Sequence, residues 1–167
     1  MTLPELLVVL AILAITVTSI GPSLLGAMED NRLASYTDRL KMDMKLARKE
    51  AILRGHRVIL CPIAPNDTGV CVSTTSWANG WMIFADSDGS GSPTSQSDDL
   101  IQIQDPLPPS VEIISHMPIN QRRLIYSADG SSQVGGNFEI KTTSNYDTAR
   151  SRTLRWSRYR SASVSYR

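Results

Sequence analysis

An ionisable carboxylate stands at the beginning of an apolar segment near the start of the chain. Glu5 precedes the run LLVVLAILAI at residues 6–15, and apolar character continues, diluted by a few Ser and Thr, to Leu25. A carboxylate at hydrocarbon depth is costly unless it meets a positive partner, which makes Glu5 a candidate functional residue. The alternative is that Glu5 lies at headgroup level as an acid in the first helical turn, where the helix dipole favours it.

The apolar segment is long enough to lie in a bilayer. As a helix rising about 1.5 Å per residue, residues 6–28 span about 34 Å, against a hydrocarbon core of about 30 Å. The segment lacks the basic start and the small-residue cleavage site of a secretory signal peptide. Gly21 and Pro22 interrupt the helical pattern, because proline removes a backbone hydrogen bond and clashes with the preceding turn. We expect a kinked or partly melted helix near Pro22.

The end of the chain carries most of the positive charge. Residues 148–167 hold six arginines and no acid (+6), residues 58–147 hold three basic and ten acidic residues (−7), and residues 1–57 hold eight basic and six acidic residues (+2). The candidate binding residues in this tail are Arg152, Arg155, Arg158, Tyr159 and Arg160. Arginines for phosphates and aromatic rings for bases suit a sequence-tolerant DNA contact. The alternative is a strip that docks on an acidic neighbouring subunit, in keeping with the −7 segment.

A short acidic segment is similar to the start of a calcium loop. Asp86, Asp88 and Ser90 place oxygens at alternate positions before a glycine, as calcium loops do. The glutamate expected at the twelfth position is absent, because Ser97 stands there, although Asp98 is adjacent. Calcium is therefore a candidate ligand of Asp86, Asp88, Ser90 and Asp98, and the alternative is a plain solvent loop.

The two cysteines favour a structural disulfide. Cys61 and Cys71 are too far apart for the Cys-x-x-Cys spacing of a zinc or redox site. A disulfide places the domain outside the reducing cytosol, and closing this loop stabilises the fold by about 2.5 to 3 kcal/mol in the chain-entropy account.

Enzymatic chemistry has no support in the sequence. His56 and His116 are isolated from any cysteine or paired acid at metal-ligand spacing, and no nucleophile elbow, zinc-protease motif or phosphate-binding loop occurs. We expect a protein without catalytic residues or small-molecule substrate, and with no cofactor except the candidate calcium.

The elements that position these residues are one long helix and a β domain. Apolar residues at three- and four-residue spacing extend the helix to residue 55: Leu33, Tyr36, Leu40, Met44, Ala47 and Ala51. Eight basic residues from Arg32 to Arg57 lie mostly off this stripe, and Gly55 suits a C-terminal cap. Short strand-like runs follow at 58–61, 81–84, 100–104, 111–116, 123–126, 137–141, 153–156 and 161–166. The pattern predicts an α+β fold, with the helix packed on an antiparallel β domain.

The first fourteen residues carry a specific resemblance. The run TLPELLVVLAILAI, with Glu5 in fifth place, resembles the mature N-terminus of type IV pilins and type II secretion pseudopilins. The resemblance implies that a leader is removed before Met1, that the new amine is methylated, and that Glu5 pairs with the N-terminus of a neighbouring subunit. Met1 departs from the usual phenylalanine, and Pro4 is accepted in the first helical turn.

The remainder of the chain resembles the FimT/GspH branch of that superfamily. The resemblance rests on EAILRGHRVILCP, WANGWMIFADSDGSG, LIYSADG, NFEIK and TLRWSRYRSASV. FimT-like minor pilins used in DNA uptake carry a Gly-Arg-x-Arg turn near the C-terminus, and the matching residues 157–160 read Ser-Arg-Tyr-Arg, without the glycine.

Together these observations predict three regions. Residues 1–28 form an apolar helix that is inserted in the bacterial inner membrane before assembly and lies in a filament core afterwards. Residues 29–55 continue the helix on the head, and residues 56–167 form the head, with a 61–71 disulfide loop and a basic C-terminal hairpin. We expect a subunit of a type IV pilus-like filament, exposed to periplasm and then cell surface, whose partners are copies of itself and other pilins. The alternatives are a DNA-binding minor pilin and a type II secretion pseudopilin.

Overall fold

The fold consists of one helix followed by strands that form two antiparallel sheets. The computed structural model describes residues 2–65, 67–93, 98–118, 122–142, 151–158 and 163–166, with side chains for all of these except 16–25, 67, 68, 164 and 166. The elements are α1 (Leu3–Arg54), β1 (Arg57–Ala64), β2 (Asp67–Cys71), β3 (Trp81–Asp86), β4 (Asp99–Gln104), β5 (Val111–His116), β6 (Leu124–Tyr126), β7 (Gly136–Thr142), β8 (Ser151–Trp156) and β9 (Ser163–Tyr166). The α+β class predicted from the sequence is confirmed.

Helix α1 runs without a break from Leu3 to Arg54. The backbone stays helical through Pro22, so the melted stretch expected there is absent from the single chain. A proline removes one hydrogen bond, and the bonds on either side suffice to keep the turn helical when no neighbouring subunit competes for the backbone. A bend at Pro22 stays a prediction. The helix ends at Gly55, whose φ of 66° is left-handed and whose N–H donates to the Ala51 carbonyl at 3.1 Å.

The strands are arranged in two sheets. The first has the order β2-β1-β3-β4, with β6 also paired to β1, and the second has the order β5-β7-β8-β9. All named pairs are antiparallel. Strands β8 and β9 form the C-terminal hairpin, in which Arg152 stands opposite Tyr166 and Arg155 opposite Ser163.

The main core lies between the C-terminal half of α1 and the two sheets. The α1 stripe supplies buried Leu33, Leu40, Met44, Ala47 and Ala51, with Tyr36 partly buried beside them. Trp77, which precedes β3, joins a chain of aromatic contacts with the strand residues Trp81, Phe138 and Trp156, with ring centroids 4.7 to 6.2 Å apart. Offset and edge-to-face rings at such distances add to the energy of simple burial.

A second apolar cluster lies on the opposite face of the first sheet. Ile59, Cys61, Ile63, Met82 and Phe84 are buried there, and they alternate along β1 and β3 with residues of the main core. Because successive side chains of a strand point to opposite faces, both strands are buried on both sides. Their sequences are accordingly continuous apolar runs instead of alternating ones.

One strand of the first sheet has no local signal in the sequence. Strand β2 has the sequence DTGVC, in which neither alternation nor a β-branched run stands out. It pairs with the end of β1, where Ile63 faces Cys71 and Ala64 faces Asp67 with an irregularity between them. Its position depends on that pairing and on the disulfide, neither of which local propensity encodes.

A buried carboxylate joins α1 to the first sheet. Asp43 is only 3% exposed, and it accepts hydrogen bonds from Trp81 Nε1 at 2.8 Å and Gln102 Nε2 at 2.9 Å. Buried polar groups are tolerated when they are hydrogen-bonded in this way. The local sequence marks Asp43 only by its place among core residues, three positions after Leu40 and one before Met44.

Replacement of Asp43 tests this junction. We expect Asp43→Ala to lower the free energy of unfolding by about 2 kcal/mol or more, because the Trp81 and Gln102 donors lose their buried acceptor. The exposed Asp38 of the same helix provides the control, since Asp38→Ala is expected to stay within about 0.5 kcal/mol. Urea unfolding of the full-length chain in detergent, followed by tryptophan fluorescence, measures both. Equal midpoints for the two variants would contradict the role of Asp43.

Candidate functional sites

The N-terminal part of α1 exposes a long apolar surface. The large apolar side chains between residues 3 and 15 are 52 to 77% exposed: Leu3, Leu6, Leu7, Val8, Val9, Leu10, Ile12, Leu13 and Ile15. The head covers only the C-terminal half of the helix, so these side chains remain largely exposed to solvent. Among the residues whose side chains are described, no helical stretch is both long and apolar enough to cross a membrane.

Glu5 lies in the first turn of this exposed helix. Its carboxylate accepts a hydrogen bond from the backbone N–H of Thr2 at 3.3 Å, which is one half of a capping box. The single chain thus uses Glu5 as an N-terminal acid, the alternative raised from the sequence. Met1 lies outside the described residues, as does the side chain of Pro22, so pairing between Glu5 and a second N-terminus stays a prediction.

A disulfide joins Cys61 of β1 to Cys71 of β2, with Cα atoms 5.7 Å apart. Cys61 is wholly buried in the second apolar cluster, and Cys71 packs partly buried against it. The bond therefore fastens the outer strand of the first sheet at the irregularity in its pairing with β1.

Three carboxylates converge at the end of β3. Asp86, Asp88 and Asp98 each offer an oxygen within 4.8 Å of the others. Asp98 Oδ2 is buried without a hydrogen-bond partner among the described residues, whereas the Ser90 hydroxyl is engaged with the Ser92 backbone at 3.2 Å. Carboxylate oxygens are the ligands that calcium prefers. Calcium binding by this acidic loop stays a prediction.

The acidic loop is held by hydrogen bonds within it and by two arginines from outside it. Asp86 is buried, pairs with the guanidinium of Arg57, and accepts the N–H of Gly91 at 3.1 Å. Asp88 accepts the N–H of Ser90 at 2.8 Å, and Arg123 donates to the Gly91 carbonyl. Sequence reasoning missed both arginines, because each is brought to the loop from a different part of the chain.

The three C-terminal arginines that the structure describes have different surroundings. Arg152 donates to the Asp30 carbonyl of α1 at 3.4 Å. Arg158 is exposed and donates to the Gln133 carbonyl at 3.3 Å, and Arg155 is exposed on β8. Within the described residues, neither Arg155 nor Arg158 is paired with a carboxylate. Tyr159 and Arg160 lie outside the described residues.

The two histidines lie apart. His56 is exposed directly after the helix cap, and His116 Nε2 lies 3.2 Å from Glu139 Oε2 on the exposed surface of the second sheet. Within the residues that the structure describes, the acidic loop is the one place where three potential metal-ligand side chains gather.

Comparison with known proteins gives consistent matches. Residues 36–159 match the family described as type II transport protein GspH. The fold is similar to the type IV minor pilin FimU of Pseudomonas aeruginosa at a TM-score of 0.57 and 18% identity, over 83% of this chain and 90% of FimU. It is also similar to the minor pseudopilin EpsH of the Vibrio cholerae type 2 secretion system at a TM-score of 0.56 and 10% identity, over 80% of this chain and 96% of EpsH. No curated protein sequence matches significantly.

Replacement of Arg57 tests how the acidic loop is held. We expect Arg57→Gln to lower the free energy of unfolding by about 3 kcal/mol, because the buried Asp86 carboxylate loses its charged partner. Arg54→Gln is the matched control: Arg54 pairs with Glu50 and Asp99 at the surface, where ion pairs contribute less than about 1 kcal/mol. Thermal or urea unfolding of the full chain without divalent ions measures both. A larger loss for Arg54→Gln than for Arg57→Gln would contradict this account.

Proposed function

The chain belongs to the family of type II transport protein GspH, and on that premise we propose that it is a non-enzymatic structural subunit that polymerises through α1 into a type IV pilus-like filament. The observation that carries the proposal is the division of α1 into a half that the head covers and a half that stays exposed. A filament of parallel helices provides the missing apolar contacts.

The energetic argument concerns the exposed half of α1. Nine large apolar side chains between Leu3 and Ile15 are more than half exposed, and full burial of such a side chain contributes about 1.5 to 3 kcal/mol. Soluble single domains seldom leave a contiguous apolar surface of this kind open. Equivalent helices of neighbouring copies bury it without any change in the head.

Glu5 supplies the register of this packing. In the single chain its carboxylate accepts only the weakly placed N–H of Thr2 at 3.3 Å among the described residues, so it remains open to a stronger partner. The N-terminal amine of the adjacent copy, methylated or not, would provide a full positive charge in apolar surroundings, where charge-assisted hydrogen bonds are strongest. One pair per subunit then fixes the axial shift between copies.

The proposal includes a stage before assembly. The apolar part of α1 is held in the bacterial inner membrane, and the head lies in the periplasm, where the Cys61–Cys71 disulfide is stable. Assembly with copies of itself and with other pilins moves the helix from lipid into the filament, which reaches the cell surface.

Replacement of Glu5 tests the proposal. We expect Glu5→Ala to reduce incorporation into fibres at least tenfold, because removing one member of a buried charge pair costs about 3 kcal/mol and each 1.36 kcal/mol is a factor of ten. The quantity to measure is this chain in fibres sheared from cells, by immunoblot and mass spectrometry.

The control is Asp38→Ala, which removes an exposed acid from the head-bound part of the same helix and is expected to leave incorporation unchanged. Unfolding of both variants in detergent shows whether the head is intact. Normal fibre yield from Glu5→Ala would contradict the register role of Glu5.

A second candidate function is contact with DNA through the basic C-terminal hairpin. The observation that favours it is the exposure of Arg155 and Arg158 without a carboxylate partner in the described part of the chain. Guanidinium groups in this state are available to phosphates. The competing use of the same strip is a contact with an acidic neighbouring subunit.

Salt-dependent DNA binding distinguishes the two uses of the hairpin. If the hairpin binds phosphates, we expect Arg158→Gln with Arg160→Gln to weaken binding and to lower the slope of log K against log salt by about one per arginine. Lys45→Gln with Lys49→Gln removes the same charge from α1 and is expected to leave the slope nearly unchanged. Fluorescence anisotropy with a short duplex provides the measurement, and identical slopes for all variants would remove the DNA function.

The third candidate is a pseudopilin of a type II secretion system. The family description and the similarity of the fold to EpsH support it. Deletion separates the possibilities: loss of enzyme secretion with intact surface fibres indicates the pseudopilin, and loss of fibres with normal secretion indicates the pilus subunit.

A further inference from the structure

The acidic loop contains a buried oxygen atom that accepts no hydrogen bond. Asp98 Oδ2 is shielded from solvent and has no donor among the described residues, whereas Oδ1 of the same carboxylate accepts the N–H of Ser87 at 3.0 Å. Burial of a carboxylate oxygen without a partner is costly. In a folded protein such an atom indicates a bound water molecule or a bound ion.

The register of the first sheet places this carboxylate beside another acid. Ala85 of β3 faces Asp99 of β4, so the next residues towards the loop, Asp86 and Asp98, continue the same antiparallel pair. Like charges directly opposite each other destabilise a sheet. On its other side Asp86 faces Arg57 of β1 and pairs with its guanidinium. No described cation pairs with Asp98, so this side of the acid pair lacks a positive charge.

A third carboxylate reaches the same place from the solvent side. Oxygen atoms of Asp86, Asp88 and Asp98 all lie within 4.8 Å of one another. Two oxygens bound to one calcium ion are at most about 5 Å apart, because each lies about 2.3 to 2.6 Å from the ion. Asp88 is exposed, so an ion can reach the three carboxylates without any opening of the head.

The donor atoms favour calcium over other common cations. All three side chains offer oxygen, whereas structural zinc sites use nitrogen and sulfur. Magnesium requires nearly ideal octahedral geometry at shorter distances, and calcium accepts an irregular set of six to eight oxygens. Carboxylates that arrive from the end of one strand, the following loop and the start of the next strand form such an irregular set.

We propose that the acidic loop binds one calcium ion through the carboxylates of Asp86, Asp88 and Asp98, with Asp98 Oδ2 bound directly and water completing the ligands. The hydroxyl of Ser90 is not among them, because it donates to the Ser92 carbonyl at 3.2 Å. We expect a dissociation constant on the order of 10⁻⁴ to 10⁻³ M, as in other extracellular calcium modules. The site goes beyond the proposed function, since it does not require a second copy of the chain.

The ion would join two elements at one corner of the head. Asp86 ends β3 and Asp98 directly precedes β4. The neighbouring Asp99 binds Arg54, the last residue of α1, at 2.7 Å. Calcium at Asp98 therefore holds the start of β4 beside the end of the helix, and it is expected to stabilise the head against unfolding.

Calcium titration of the isolated protein tests the site. The full-length chain in detergent is stripped with EDTA, dialysed and titrated with CaCl₂ in a calorimeter. We expect one ion per chain, and a midpoint of thermal unfolding that rises with the calcium concentration, because the ion binds only the folded loop. MgCl₂ is expected to bind about tenfold more weakly or less.

Replacement of single acids shows where the ion binds. Asp98→Asn keeps an acceptor for the Ser87 N–H and removes one charge, so we expect calcium affinity to fall about tenfold or more. Its unfolding midpoint in EDTA is expected to equal or exceed that of the unmodified chain, because the repulsion from Asp86 is relieved. Asp88→Asn, at an exposed position, provides a second variant with the same expected loss of affinity. Asp105→Asn removes an exposed acid elsewhere in the head and is the matched control.

Each outcome decides for or against the calcium site. Absence of binding by the unmodified chain up to about 10 mM calcium, well above the expected dissociation constant, would assign a water molecule to Asp98 Oδ2 and overturn the proposal. Unchanged affinity in Asp98→Asn, or an equal loss in Asp105→Asn, would also overturn it. Fibre incorporation is measured separately: a chain that enters fibres without binding calcium leaves the proposed function standing, and a chain that binds calcium but never enters fibres contradicts that function alone.

Discussion

The rest of the structure depends on how much of the apolar surface of helix α1 the head can bury. The head provides that partner only for the second half, where Leu40, Met44 and Ala47 sink into the main core and Asp43 is held by Trp81 and Gln102. The first half receives nothing comparable from the described part of its own chain. The head therefore buries the second half of α1 and leaves the apolar side chains of the first half exposed.

Much of the fold could be predicted because its signals are local. The α1 stripe, the Gly55 cap and the strand runs each follow from the spacing or conformational needs of neighbouring residues. Strand β2 could not be predicted, because pairing with β1 and the disulfide determine it. At Pro22 the sequence signal was real but too weak to break a helix supported by hydrogen bonds on both sides.

The candidate sites divide in the same way. The acids of the loop were visible as an alternating motif, since Asp86 and Asp88 are neighbours in sequence. Arg57 and Arg123, which hold that loop, come from distant segments and carried no local mark. The sequence does not show that the apolar residues Ile52 and Leu53 of α1 are exposed. Helix periodicity identifies the buried face of a helix. Apolar residues on its outward face are recognised only when the packed head is seen to leave them uncovered.

The position of the disulfide also governs its chemical durability. Cys61 is enclosed by apolar side chains while Cys71 is only partly covered, so an attacking thiol can approach the sulfur of Cys71 alone. That attack would release the sulfur of Cys61 as a thiolate in apolar surroundings. A thiolate is costly there, so Cys61 is a poor leaving group. The second apolar cluster therefore protects the disulfide against thiol exchange. The bond resists external reductants for as long as the first sheet remains intact.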